Sequence, residues 1–158
     1  MMKALQPIRV KASLLFVCIA LSLSFAVSLS FGGGTASAHA SLDCGANNVL
    51  CSNQTIPVGN YIISSNGTYR LTMQSDGNLV LYNNVHQALW ASCTANTNAT
   101  FAILQSDGNF VVYNNAHTPL WASNTAGRPN DYLLMQDNGD AVIYDAGSAL
   151  WASHRFCR

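Results

Sequence analysis

Glutamate is missing altogether from this 158-residue chain, and both lysines, Lys3 and Lys11, lie near its start. Beyond residue 40 the cationic side chains are Arg70, Arg128, Arg155 and Arg158; four charges against seven aspartates leave a net of about −3. Without a basic stripe there is no electrostatic footprint for a phosphate backbone or an anionic membrane surface, which excludes nucleic acid as the main partner. Enzymatic groups are equally sparse. Asp76 and Asp107 have no second carboxylate close by in sequence, so the carboxylate pair that glycoside hydrolysis requires is lacking. His86 and His117 occupy equivalent places in polar loops and read as solvated turn residues. No CxxC spacing or histidine cluster suggests zinc, and no metal or cofactor is expected.

What is present divides at residue 40. Lys3, Arg9 and Lys11 precede an apolar run over 12–31 that ends in GGGTASAHA, the pattern of a secretory signal peptide. Small residues permit cleavage after Ala38 or after Ala40, and Ala40 is favoured, giving a signal segment 1–40 and one domain over 41–158. Ser22, Ser24, Ser28 and Ser30 dilute the run, so a retained membrane span is the weaker reading and no membrane insertion is expected after cleavage. Export also suits the cysteines, because Cys44, Cys51, Cys93 and Cys157 remain as an even set in an oxidising compartment. Four cysteines allow three connectivities; the pairing expected here is Cys44 with Cys51 and Cys93 with Cys157. Asn53, Asn66 and Asn98 each open an N-x-T glycosylation sequon.

An internal repeat organises the domain. QSDGNLVLY at 74–82 recurs as QSDGNFVVY at 105–113 and QDNGDAVIY at 136–144, a period of 31 residues. LWAS follows at 89–92, 120–123 and 150–153, the last arriving one residue early. Units this short cannot bury an apolar face alone, so three must share one core. Within each unit apolar residues alternate with polar ones, as in Tyr69, Leu71 and Met73, and then Leu79 and Leu81; period two means strands. Asp76-Gly77, Asp107-Gly108 and Asn138-Gly139 are hairpin signals, and Trp90, Trp121 and Trp151 are the natural fillers of a shared core.

Gln74, Asp76, Asn78, Val80 and Tyr82 are separated by multiples of two and so fall on one strand face. A straight strand would hold Gln74 and Tyr82 roughly 26 Å apart, but a hairpin at Asp76-Gly77 brings Gln74 back beside Asn78. The converged groups then include a charged acceptor, two amides and a phenol, a set that answers the donor and acceptor pattern of a sugar ring, with valine offering an apolar contact for ring carbons. A turn alone would not require Gln and Tyr in every copy.

This pattern resembles the bulb-type mannose-binding lectins of snowdrop-agglutinin type, whose motif is Gln-x-Asp-x-Asn-x-Val-x-Tyr, over about residues 47–154. The LWAS strands resemble that family's Trp strands and NNVLCSNQTIPVG its opening strand. The resemblance implies an all-β prism of three four-stranded antiparallel sheets with pseudo-three-fold symmetry, no catalysis, and mannose-type glycans on glycoproteins or cell surfaces as partners. It also implies two complete sites, Gln74, Asp76, Asn78, Val80 and Tyr82, and Gln105, Asp107, Asn109, Val111 and Tyr113. In the third copy, Gln136, Asn138, Asp140, Val142 and Tyr144, the Asp and Asn are exchanged, and a weakened site is expected. Members of the family often dimerise by exchanging the C-terminal strand, here 150–153. The scaffold also carries lectin-like bacteriocins and members without sugar binding, so a defence or interaction role is the alternative.

Overall fold

A computed structural model describes residues 43–129 and 131–153. The segment 1–40, expected to be a signal peptide, lies outside them, as does Cys157, the expected partner of Cys93. Among the described residues the regular structure is all strand: β1 (Val49–Cys51), β2 (Thr55–Pro57), β3 (Tyr61–Ile63), β4 (Arg70–Met73), β5 (Leu79–Tyr82), β6 (Ala88–Ala91), β7 (Ala99–Leu104), β8 (Phe110–Asn114), β9 (Pro119–Ala122), β10 (Tyr132–Met135), β11 (Ala141–Asp145) and β12 (Ser148–Ala152). They form three four-stranded antiparallel sheets, in the orders β3-β4-β5-β6, β2-β7-β8-β9 and β1-β10-β11-β12.

Each repeat therefore supplies three consecutive strands, and the fourth comes from elsewhere. NNVLCSNQTIPVG, read from sequence as one opening strand, together with the residues after it breaks into β1, β2 and β3, one for each sheet. The three short strands each take the edge beside the first strand of a repeat, next to β10, β7 and β4. Cys44 and Cys51 are bridged, which pins the start of this segment onto β1; that pair matches the expectation. Asn66 donates from its backbone N to Asp137 Oδ1 at 2.9 Å, which ties the loop before β4 to the third motif.

Strand alternation sends Leu71, Met73, Leu79, Leu81, Ala102, Leu104, Phe110, Val112, Leu133, Met135, Ala141 and Ile143 into one core, all fully buried. At its centre Trp90, Trp121 and Trp151 meet edge to face, with ring centroids 5.2 to 5.6 Å apart, each pair adding about 1 kcal/mol beyond its area burial. A leucine precedes each tryptophan, and strict alternation would turn one of the two outward. The structure avoids this with a register shift between Leu81 and Tyr82, repeated between Val112 and Tyr113 and between Ile143 and Tyr144. Leu89, Leu120 and Leu150 are the extra residues, so both members of each LW pair pack on the core.

The hairpins differ from a two-residue Asp-Gly turn. Gly77 N donates to Gln74 O at 3.1 Å and Gln74 N to Asn78 O at 2.8 Å, which closes a three-residue loop. Only the glycine takes a positive φ, 86° at Gly77 and 87° at Gly108. Gly108 faces the carboxylate of Asp131 and the carbonyl of Arg128, so the chain entering β10 packs where a Cβ would stand.

Candidate functional site

The hairpin brings both ends of each motif together. Gln74 Nε2 donates to Tyr82 Oη at 3.0 Å, Gln105 Nε2 to Tyr113 Oη at 3.0 Å, and Gln136 Nε2 to Tyr144 Oη at 2.6 Å. The register shift sits immediately before each tyrosine, the place where a bulge re-aims a side chain along the sheet face. Asp76 Oδ1 accepts from Asn78 N at 2.9 Å and Asp107 Oδ1 from Asn109 N at 3.0 Å, which rigidifies the loop and leaves the second carboxylate oxygen for a ligand.

The asparagine is oriented by residues that the motif does not contain. Asn78 Oδ1 accepts from Ser92 Oγ at 3.2 Å and from Thr94 N at 3.1 Å; Asn109 Oδ1 accepts from Ser123 Oγ at 3.2 Å and Thr125 N at 3.3 Å. A backbone N–H can only donate, so the carbonyl faces inward and the NH₂ is the end presented outward. Thr94 Oγ1 and Thr125 Oγ1 in turn donate to the carbonyls of Gly77 and Gly108, both at 2.6 Å. A signal for these residues stands in the sequence as WASCT and WASNT, against WASHR in the third copy. Each of the first two copies thus offers an amide carbonyl and a phenol hydrogen from the Gln and Tyr, a carboxylate oxygen from Asp, and two N–H donors from Asn.

The valines depart from expectation. Val80 and Val111 are 2% exposed and Val142 4%, each lying between the motif's polar residues. Little valine surface is therefore open on this face.

In the third copy the exchange of Asp and Asn changes the chemistry. Asn138 Oδ1 takes over the loop contact, accepting from Asp140 N at 3.1 Å, and its NH₂ is turned onto Asp140 Oδ2 at 3.4 Å. The outward NH₂ of the other copies has no counterpart at position 140, where a carboxylate can accept but not donate. A cleft of about 360 Å³ borders this copy, lined in part by Asn48, Ser65, Leu134, Gln136 and Asn138.

Cross-strand from each motif tyrosine stands a different residue. Phe101 stacks on Tyr113 at 5.7 Å, with His117 edge-on to Phe101 at 5.9 Å, and Tyr132 stacks on Tyr144 at 5.4 Å. Burial, followed by the neighbouring Tyr144, pushes the Tyr132 phenol above its ordinary range. Opposite Tyr82 the residue is Arg70, whose guanidinium lies over the Tyr61 ring at 5.5 Å. His86 and His117 are exposed, with φ of 61° and 56°, as turn residues would be.

A family model described as D-mannose binding lectin matches residues 49–138, more than half of the chain. The chain belongs to that family. Its fold is shared with solved lectins of the family. A monomeric monocot mannose-binding lectin from Gastrodia elata is 38% identical, with a TM-score of 0.60 over 67% of this chain and 96% of its own. An Allium sativum lectin is 40% identical, with a TM-score of 0.56 over 66% and 97%. The mannose-specific agglutinin of snowdrop, Galanthus nivalis, solved with methyl-α-D-mannoside, is 37% identical, with a TM-score of 0.58 over 70% and 99%. No curated protein matches by sequence. The three-sheet prism expected from sequence is this family's architecture, and the protein is a carbohydrate-binding lectin rather than an enzyme.

Proposed function

We propose that the chain is exported, loses residues 1–40, and acts outside the cell as a mannose-type lectin whose first two motif copies each hold one sugar residue, with a weaker third. The observation that carries this reading is the pair of matching hydrogen-bond arrays at Gln74–Tyr82 and Gln105–Tyr113, each leaving free an acceptor, a charged acceptor and an oriented NH₂. Such fixed, complementary groups select among epimers because a displaced hydroxyl leaves one of them unpaired. Shallow sites of this kind bind weakly, near the millimolar range at about 4 kcal/mol, so glycan surfaces that engage several copies at once are the natural targets. Calorimetric titration with methyl mannoside and methyl galactoside tests the reading, together with a variant carrying Tyr82→Phe and Tyr113→Phe. Mannoside-selective heat that is lost in the variant supports it; no heat with either sugar refutes it. Mass spectrometry of the exported protein should find Ser41 at its N-terminus.

A further inference from the structure

The three motif copies are nearly alike, but the faces beside them are not. On the outer face of the first sheet, β4 presents Arg70 and Thr72 opposite Tyr82 and Val80, Gln74 follows it beside Asn78, and Tyr61 lies alongside on β3. In the other two sheets the place of Arg70 is taken by Phe101 and Tyr132, and both rings touch the motif tyrosine directly. The position is therefore part of the rim of every site.

Arg70 differs from Arg128, the other described arginine, which is paired with Asp145 at 3.5 Å. That is the one ion pair among the described residues, and the contact recorded for Arg70 is with the face of Tyr61, a ring that is 50% exposed. Stacking on an aromatic face holds a guanidinium flat and leaves its in-plane N–H donors for another acceptor. In a domain without lysine, a held cation stands cross-strand from Tyr82, where the second and third sheets carry Phe101 and Tyr132.

We propose that Arg70 forms an anion subsite beside the first motif, so that the first site prefers a mannosyl residue bearing a phosphate or carboxylate substituent while the second takes neutral mannose-type residues. The inference rests on the sugar-binding reading above. Nuclear magnetic resonance titration of the ¹⁵N-labelled protein tests it, because the side-chain amides of Gln74, Gln105 and Gln136 report the three sites separately. The probes are methyl mannoside, mannose 1-phosphate, mannose 6-phosphate and methyl mannosiduronate, the last distinguishing carboxylate from phosphate. At low salt the Gln74 amide should respond to at least one anionic probe at about fivefold lower concentration than to methyl mannoside, near the upper end for a solvent-screened charge pair. Half-molar salt should erase that preference, and Gln105 should show none.

Replacing the rim residue supplies the decisive arm. Arg70→Phe should remove the preference at Gln74; should that variant fail to fold, Arg70→Gln, which removes the charge and keeps a polar side chain beside Tyr61, decides instead. Equal midpoints for all probes at Gln74, with methyl mannoside binding normally, overturn the anion subsite and leave the lectin reading standing. No response to methyl mannoside at any of the three amides overturns both.

Discussion

Asp131 immediately precedes β10, with both carboxylate oxygens buried and without a hydrogen-bond partner, at 4% exposure. Burial, with the nearby Asp145 adding to it and Arg128 opposing it, raises its pKa from an ordinary 3.8 to about 6. The folded protein therefore holds this proton more tightly than the unfolded chain does. The stability associated with the protonated form is fully present below about pH 4 and is lost as the pH rises through 6. A gap of roughly two pKa units corresponds to about 3 kcal/mol in all, of which about 2 kcal/mol falls between pH 4.5 and pH 7.5. Asp131→Asn removes the titration while keeping the shape, although its amide also pays for burial without a partner. Urea unfolding of both proteins at pH 4.5, 6 and 7.5 reads the effect as a difference. The variant should gain about 2 kcal/mol on the wild type across that range. Parallel pH profiles for the two proteins would show that Asp131 finds a partner or water in solution and would refute the argument.

Other consequences are open to simpler measurements. Ser92→Ala combined with Thr94→Val removes the hydroxyl donor to the Asn78 carbonyl and the anchor on the Gly77 carbonyl, leaving Thr94 N as the donor that remains; the looser NH₂ should weaken mannoside binding at the first site several-fold, about 1 kcal/mol, and leave the second unchanged by titration. Tyr144→Phe should not alter the number of strong mannoside sites measured by calorimetry, because the third copy has already lost its outward NH₂. Ala146, at φ 46° ahead of Gly147, occupies a left-handed position better suited to asparagine; Ala146→Asn should stabilise the hairpin by about 0.5–1 kcal/mol in thermal unfolding. Trp90→Ala removes the ring that touches both other tryptophans and should cost about 3–5 kcal/mol in urea unfolding.

Much of this was legible in sequence because strand period and repeat period are local, additive signals. The alternation around Leu71, Leu79 and Leu81 separates core from site face, and the 31-residue offset makes three sheets. Asp-Gly and Asn-Gly mark where the chain turns, although the loop that forms has three residues and places only the glycine in the left-handed region. Sequence pattern failed wherever the answer depended on what lies across a sheet. Nothing in NNVLCSNQTIPVG and the residues after it shows that short strands will be dealt to three different sheets. Val80 fits the motif's spacing, but its burial is set by the strands packed around it and is not written in that spacing. Ser92 and Thr94 act on Asn78 across fourteen and sixteen residues, a coupling created by strand pairing alone. Leu89 and Trp90 break the alternation because a bulge absorbs the extra residue, which binary pattern cannot anticipate.

The central claim is that each of the first two motif copies holds one mannose-type residue on its outer face. A crystal structure of the protein with methyl-α-mannoside tests it most directly. The account predicts a sugar ring at both copies, with hydroxyls within about 2.7–3.2 Å of the Gln, Asp, Asn and Tyr polar atoms and less complete density at the third. A mannoside bound elsewhere on the domain, or both motif faces empty at saturating sugar, would contradict it.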